Sequence, residues 1–265
     1  MVRLSGLSLS YPLEGKGRAD ALRGVSAQFE EGKFSAIIGP SGCGKTSLIK
    51  IMAGLVPPSE GTVSVDGSLL TGARERTAVI FQDYGLLPWK TVRANAELPL
   101  RIRGGLKGGG RQKVQSLLAE FGLDPFASRY PHQLSGGMKQ RLAIVRALTA
   151  NPELLLMDEP FSSLDSLTRE DAQDFLLAVR KDRRLTVIMV THSIEEAVYL
   201  ADFVYVMSGV SPGSITGRVT ISRGEPWPRA GFREDARFQE YCGVLRRACR
   251  GGRAGHASCA TGDAP

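Results

Sequence analysis

Phe34-Ser-Ala-Ile-Ile-Gly39-Pro-Ser-Gly-Cys-Gly-Lys-Thr-Ser47 reads as three things in succession: an apolar strand, a glycine-rich turn and the start of a helix. Phe34–Ile38 is a short, mostly apolar run of the kind buried in a parallel sheet. Gly39, Pro40, Ser41, Gly42, Cys43, Gly44, Lys45 and Thr46 follow with the Gly-x4-Gly-Lys-Thr spacing of a phosphate-binding loop. Glycine suits such a loop because backbone N–H groups must approach phosphate oxygens with no Cβ in the way. The helix from Lys45 to Gly54 adds the positive end of its dipole. That pattern points Lys45 at β- and γ-phosphates and the Thr46 hydroxyl at Mg²⁺, with Ser47 beside them.

A second strand completes this chemistry. Leu154-Leu-Leu-Met-Asp158-Glu159 is apolar until its end, where two carboxylates emerge. Asp158 is the candidate Mg²⁺ ligand, and Glu159 the candidate general base on an attacking water. Between the two strands lies Leu134-Ser-Gly-Gly-Met-Lys-Gln-Arg141. Ser135 is a good N-cap, and Gly136 and Gly137 leave the end of the following helix bare, which makes a second anion site. One chain with two phosphate cradles needs a reason for the second.

The remaining segments alternate in the manner of an α/β protein. Val2, Leu4, Leu7, Leu9 and Tyr11, then Val25, Ala27 and Phe29, roughly alternate with polar residues, as strands joined by the charged, Gly-rich connection Glu14 to Asp20. A short strand pair, Gly61–Val65 and Thr77–Phe81, comes next. From about Leu87 to His132 helical periodicity takes over (Val114, Leu117, Leu118, Phe121), broken by Gly104-Gly105 and Gly108-Gly-Gly110. Strands at Leu154–Met157, Thr186–Val190 and Phe203–Met207 then alternate with helices, as in a parallel sheet covered by helices. His192 follows one of these strands, ahead of the capping box Ser193-Ile-Glu-Glu196. Phe238, Tyr241, Leu245 and Ala248 fall at helical spacing, and Gly251 to Pro265 has the composition of a disordered tail.

With 265 residues, 42% of them hydrophobic, the chain has material for one large domain or a domain with an insertion. Its apolar runs are far shorter than the ~20 residues needed to cross a bilayer, and Met1-Val-Arg-Leu-Ser-Gly has no apolar signal core. Work at a membrane would therefore need a partner. Net charge is +7, with five bases and no acid from Arg101 to Lys113. No aromatics interleave with them, which argues for a solvated or lipid-facing surface and against nucleic acid. Cys43, Cys242, Cys249 and Cys259 lack zinc-site spacing. A disulfide at Cys43 would be incompatible with nucleotide binding, which favours a reducing compartment, and its place near a helix start predicts a lowered thiol pKa.

Taken in order, Gly39–Thr46, Gln82, Leu134–Arg141, Asp158-Glu159 and His192 resemble the nucleotide-binding subunit of an ABC transporter, over roughly residues 2 to 221. The resemblance implies a P-loop NTPase core with a mainly parallel sheet, an N-terminal antiparallel β subdomain and a helical insertion at about 87–133. Residues 222–250 then form a C-terminal extension with a short helix, and 251–265 a tail. It implies ATP and Mg²⁺ as ligands, and a head-to-tail homodimer in which Ser135-Gly136-Gly137 of one copy meets the γ-phosphate held by the other. It further implies that Gln82 touches Mg²⁺ and water, that His192 contacts the γ-phosphate, that Asp165 in Ser162-Ser-Leu-Asp165 belongs to the dimer seam, and that Tyr11 stacks on adenine; a core aromatic remains open for Tyr11. Ser193 stands where Asp is more usual, and Thr46-Ser47 reverses the commoner order. Phe81-Gln-Asp-Tyr-Gly-Leu-Leu-Pro-Trp-Lys-Thr-Val92 looks like importers of the nitrate, sulfonate and taurine group. The implied partners are transmembrane permease subunits and, indirectly, a substrate-binding protein, at the cytoplasmic face of the inner membrane. Three alternatives stay open: a related importer for another solute such as a thiamine precursor, a soluble ABC ATPase, and an unrelated phosphate-loop enzyme that would have no use for Leu134–Arg141.

Overall fold

The side-chain alternation of the first strand changes phase between Leu4 and Leu7, and the backbone follows it. In the computed structural model β1 (Val2–Pro12) pairs antiparallel with β2 (Arg18–Phe29), and its register shifts between Leu4 and Leu7. A bulge there keeps Val2, Leu4, Leu7 and Leu9 all on the buried side. The structure describes residues 1–12, 15, 17–208, 211–222 and 231–250. The tail 251–265 and part of the Glu14–Asp20 connection lie outside the described residues.

Two compact units emerge, Met1–Ala73 with Thr186–Pro265, and Arg74–Leu185. In the first, β4 (Glu60–Val65) pairs with the free side of β1, and β5 (Ser68–Leu69) closes the antiparallel sheet in the order β2-β1-β4-β5. A second set of strands centres on β3 (Phe34–Ile38), all five residues of which are buried. It runs parallel to β8 (Thr186–Thr191) and β9 (Phe203–Met207). Burial on both faces is why these three read as mostly apolar runs without polar alternation. β10 (Ile215–Thr220) pairs antiparallel with β9. The helices α1 (Lys45–Met52) and α6 (Ile194–Leu200) pack on this sheet.

The C-terminal helix α7 (Ala236–Cys249) buries Phe238, Tyr241, Cys242, Leu245 and Ala248 against α6 and β9. Burying the larger of these, such as Phe238 and Leu245, stabilises by about 1.5–3 kcal/mol each before entropy is counted. The Tyr241 hydroxyl accepts from Ser222 N at 3.0 Å, and the Arg233 guanidinium lies 3.5 Å from the Tyr199 ring centroid.

In the second unit β6 (Thr77–Ile80) runs parallel to β7 (Leu154–Asp158). A parallel pair needs a long crossover; here it contains α2 (Val92–Ile102), α3 (Gly110–Glu120) and α4 (Gly136–Thr149). The strands at 61–65 and 77–81 therefore do not pair with each other: β4 turns back into β5, while β6 finds a partner beyond the helices. α5 (Ser166–Arg183) follows β7, and Phe175 from it meets Phe121 edge to face at 4.5 Å between centroids. Three bases of the 101–113 stretch serve this fold. Arg101 pairs with Glu97 on its own helix, Arg103 donates to the carbonyls of Glu75 and Ala150, and Lys113 donates to the Thr149 carbonyl at 2.9 Å. The last two neutralise the carbonyl end of α4.

Candidate functional site

In the first unit the phosphate loop is shaped by its own atoms. Gly44 caps α1 at φ 95, and no side chain caps the helix end, which suits a helix start that faces a phosphate. Lys45 is buried, and its ammonium donates to the carbonyls of Gly39 at 2.8 Å and Pro40 at 3.0 Å. The charge is thus parked across the loop. Gly39 is buried, while Pro40, Ser41, Gly42 and Thr46 are exposed. Tyr11, near the end of β1, is half-buried; its hydroxyl lies 3.1 Å from that of Ser47 on α1. The candidate adenine-stacking ring and the phosphate helix are therefore in direct contact. His192 is exposed just beyond β8. The turn after it is well built: Ser193 caps α6 by accepting from Glu196 N at 3.2 Å, and Thr191 Oγ1 donates to the buried Glu196 carboxylate at 2.7 Å.

Cys43 differs from its sequence expectation. Its thiol is 2% exposed, and burial raises its pKa above the ordinary thiol value, with Lys45 only partly countering this. Proximity to a helix start would lower it; loss of hydration wins.

The second unit carries the carboxylates. Asp158 ends β7 and is buried at 5% exposure; Glu159 follows at φ 46. A left-handed backbone at a non-glycine residue costs about 1–3 kcal/mol and is retained where surroundings enforce it. Here Ser162 enforces it, donating to the Glu159 carbonyl from both N (3.2 Å) and Oγ (2.9 Å). Asp165 caps α5 by accepting from Thr168 N at 3.0 Å, and Thr168's donation holds its carboxyl below the usual aspartate value.

Ser135 caps α4, accepting from Met138 N at 3.3 Å. The two glycines after it answer to packing as well as to anions. A Cβ on Gly136 would come within 2.9 Å of Leu164 Cδ2, and one on Gly137 within 2.6 Å of Thr168 Cγ2. The Ser135 helix end and the Asp165 turn are thus one fitted surface.

Gln82 is exposed in the turn after β6. Its loop is held by residues the sequence reading passed over. Asn95, fully buried, accepts from Leu87 N at 2.8 Å and donates to the carbonyls of Leu87, Lys90 and Thr91. Arg146 on α4 donates to the carbonyls of Tyr84 and Gly85, each at 2.6 Å. The Tyr84 hydroxyl lies 2.8 Å from that of Ser163. Among the described residues no group of three or more His, Cys, Asp or Glu could hold a metal by itself.

A phosphate loop, an Asp-Glu strand end and a Ser-Gly-Gly helix start in one α/β chain define a nucleotide-hydrolysing cassette. The comparison with known proteins identifies which. Residues 22–162, more than half of the chain, match the family described as ABC transporter, and the chain belongs to that family. It is 40% identical over 225 residues to the taurine import ATP-binding protein TauB of Yersinia pestis bv. Antiqua (85% of this chain, 86% of TauB). It is 41% identical over 207 residues to the nitrate import ATP-binding protein NrtD of Synechocystis sp. (78% and 77%). Among solved structures it resembles the ATP-binding cassette MJ0796, solved as a dimer in a post-hydrolysis state with ADP and Pi (TM-score 0.73, 32% identity, 84% of this chain, 99% of that one). The chain is an ATP-binding ATPase subunit of an ABC transporter, homologous to import ATP-binding proteins.

Proposed function

We propose that this subunit powers import of a small solute of the taurine or nitrate type through a separate membrane permease, as a head-to-tail dimer that closes on two ATP molecules. The observation that carries it is the pair of phosphate cradles in one chain: the Gly39–Thr46 loop, and the Ser135-capped start of α4. A second copy gives the second cradle its use. The relatives named for taurine and nitrate import support the solute class.

The roles follow from each group's chemistry. Lys45 and the N–H groups at the start of α1 hold the β- and γ-phosphates. Tyr11 stacks on the adenine. Thr46, Gln82 and Asp158 offer hydroxyl, amide and carboxylate oxygens, the donor set of a hard cation such as Mg²⁺. Bound there, Mg²⁺ would neutralise charge on the transferring phosphoryl group. Glu159 orients the attacking water and accepts its proton, His192 steadies the γ-phosphate, and Ser135 of the second copy donates to it. Asp165 lies at the seam between copies.

No helix among the described residues is long and apolar enough to cross a membrane. We place the subunit on the cytoplasmic face, held by its permease, with a substrate-binding protein delivering solute on the far side. A cavity of about 300 Å³ lined by Val79, Leu98, Ile102 and Ala147, with Arg103 and Arg146 also in its wall, offers a seat for a short helix of that permease, and Arg146 ties it to the loop after Gln82. The test is uptake of labelled taurine or nitrate into proteoliposomes carrying the permease encoded beside this chain. ATP-driven uptake that vanishes with Glu159→Gln supports the reading; ATP hydrolysis without uptake of any solute delivered by the neighbouring binding protein overturns it.

A further inference from the structure

Residues 211–214, between β9 and β10, lie directly on the phosphate loop. A Cβ built on Gly213 would sit 1.8 Å from the Cys43 carbonyl oxygen and 3.0 Å from Met207 Cε. Main-chain bonds fix the segment there. Gly213 N donates to the Ala21 carbonyl at 3.0 Å, and Arg23 N donates to the Gly213 carbonyl at 3.1 Å. The Ser211 hydroxyl donates to the Asp20 carbonyl at 2.8 Å, and Ser208 and Ser214 close the base of the segment on each other. The same stretch of β2 presses on the next loop residue: a Cβ on Gly44 would come within 2.6 Å of Leu22 Cδ2 and 2.8 Å of the Ala21 carbonyl. Beneath the loop, the Cys43 sulfur fills the space under Gly39, 2.8 Å from where a Cβ would stand. The Cys43–Gly44 backbone is therefore gripped by β2 on one side and by Gly213 on another.

We propose that Gly213 is a positioning residue for nucleotide binding. Its bare Cα lets residues 211–214 brace the Cys43 carbonyl, and that brace aims the N–H groups at the start of α1 at phosphate. The inference rests on the reading of Gly39–Thr46 as the ATP cradle. An added methyl at Gly213 must displace the loop by on the order of 1 Å, enough to spoil the length and angle of hydrogen bonds from its N–H groups to phosphate. Gly213 has no left-handed backbone requirement, and the Met207 side-chain end can shift, so alanine there strains chiefly the contact with the loop.

The experiment compares the unmodified protein with Gly213→Ala, measuring ATP affinity by fluorescent-nucleotide displacement, KM and kcat of hydrolysis, and apo melting temperature. The expected result is ATP affinity at least tenfold weaker and KM raised in step, with kcat within about threefold and melting within a few degrees. Equal ATP affinity in the two proteins overturns the brace. Absence of ATP binding in the unmodified protein would instead overturn the cradle. Should the variant fold poorly, hydrogen exchange in the unmodified protein decides: Mg²⁺-ATP is expected to slow exchange at the Arg23 and Gly213 amides, and unchanged rates there overturn the proposal.

Discussion

Arg146 donates to the main-chain carbonyl of Tyr84 at 2.6 Å, and Tyr84 holds a left-handed backbone at φ 63. The second guanidinium nitrogen takes Gly85 in the same grip. Arg146 lies on α4, the helix that begins at Ser135, so the loop of Gln82 and the Ser-Gly-Gly helix are mechanically joined. Arg146→Ala is expected to lower stability to urea by about 2–4 kcal/mol, since hydrogen bonds from charged donors are each worth about 1.5–3, less where solvent reaches them as at Gly85. Arg146→Lys should recover little of it, because a point donor cannot span two carbonyls. Full recovery by lysine would refute the forked geometry.

Glu159→Gln keeps the shape of the side chain and removes its basicity. Hydrolysis should fall by about 10²–10⁴-fold, with ATP affinity intact and a dimer visible by size exclusion in ATP. A nucleotide-loaded monomer at high concentration would count against closure on two ATP molecules.

Ser135→Arg leaves the Gly39–Thr46 loop of the same chain untouched. ATP binding should persist while hydrolysis drops at least about a hundredfold, the order seen when one donor to a developing charge is lost. In the unmodified protein, activity per molecule should decline on dilution. Turnover independent of concentration, with no pairing in sedimentation, would show that each copy works alone.

The Cys242 thiol is pushed up to about 11, chiefly by burial and next by Glu195, with Arg246 opposing. A raised folded pKa means that the neutral thiol's contribution is whole below pH 9, the unfolded value, and is lost as pH climbs through about 11. A shift of that size corresponds to about 2–3 kcal/mol. Urea midpoints followed from pH 8 to 11 should therefore fall, and Cys242→Ala should flatten the fall. An identical slope in both proteins would assign the loss to other groups.

Much of this was readable in advance because some residues announce a constraint that is local. β3, β7, β8 and β9 appear as apolar runs because both faces are buried, and the phosphate loop shows itself because backbone approach demands glycine at fixed spacing. β10 escaped because what holds it is remote: Arg218 stacks 3.8 Å from the Phe203 ring centroid and pairs with Glu30. Asn95 and Arg146 escaped for a related reason. They bond to main-chain carbonyls, which carry no residue identity for a reader of sequence to match. The pKa of Cys43 went the other way because burial of the thiol, a product of tertiary packing, outweighs its place near a helix start.

Glu159 sits where glycine would be more comfortable. Its left-handed backbone means that a mutant screened for heat resistance alone should drift toward glycine or asparagine at this position, gaining robustness as it loses the proposed base. The torsion angle thus trades durability for a carboxylate at this one place, and the Ser162 latch makes the trade tolerable.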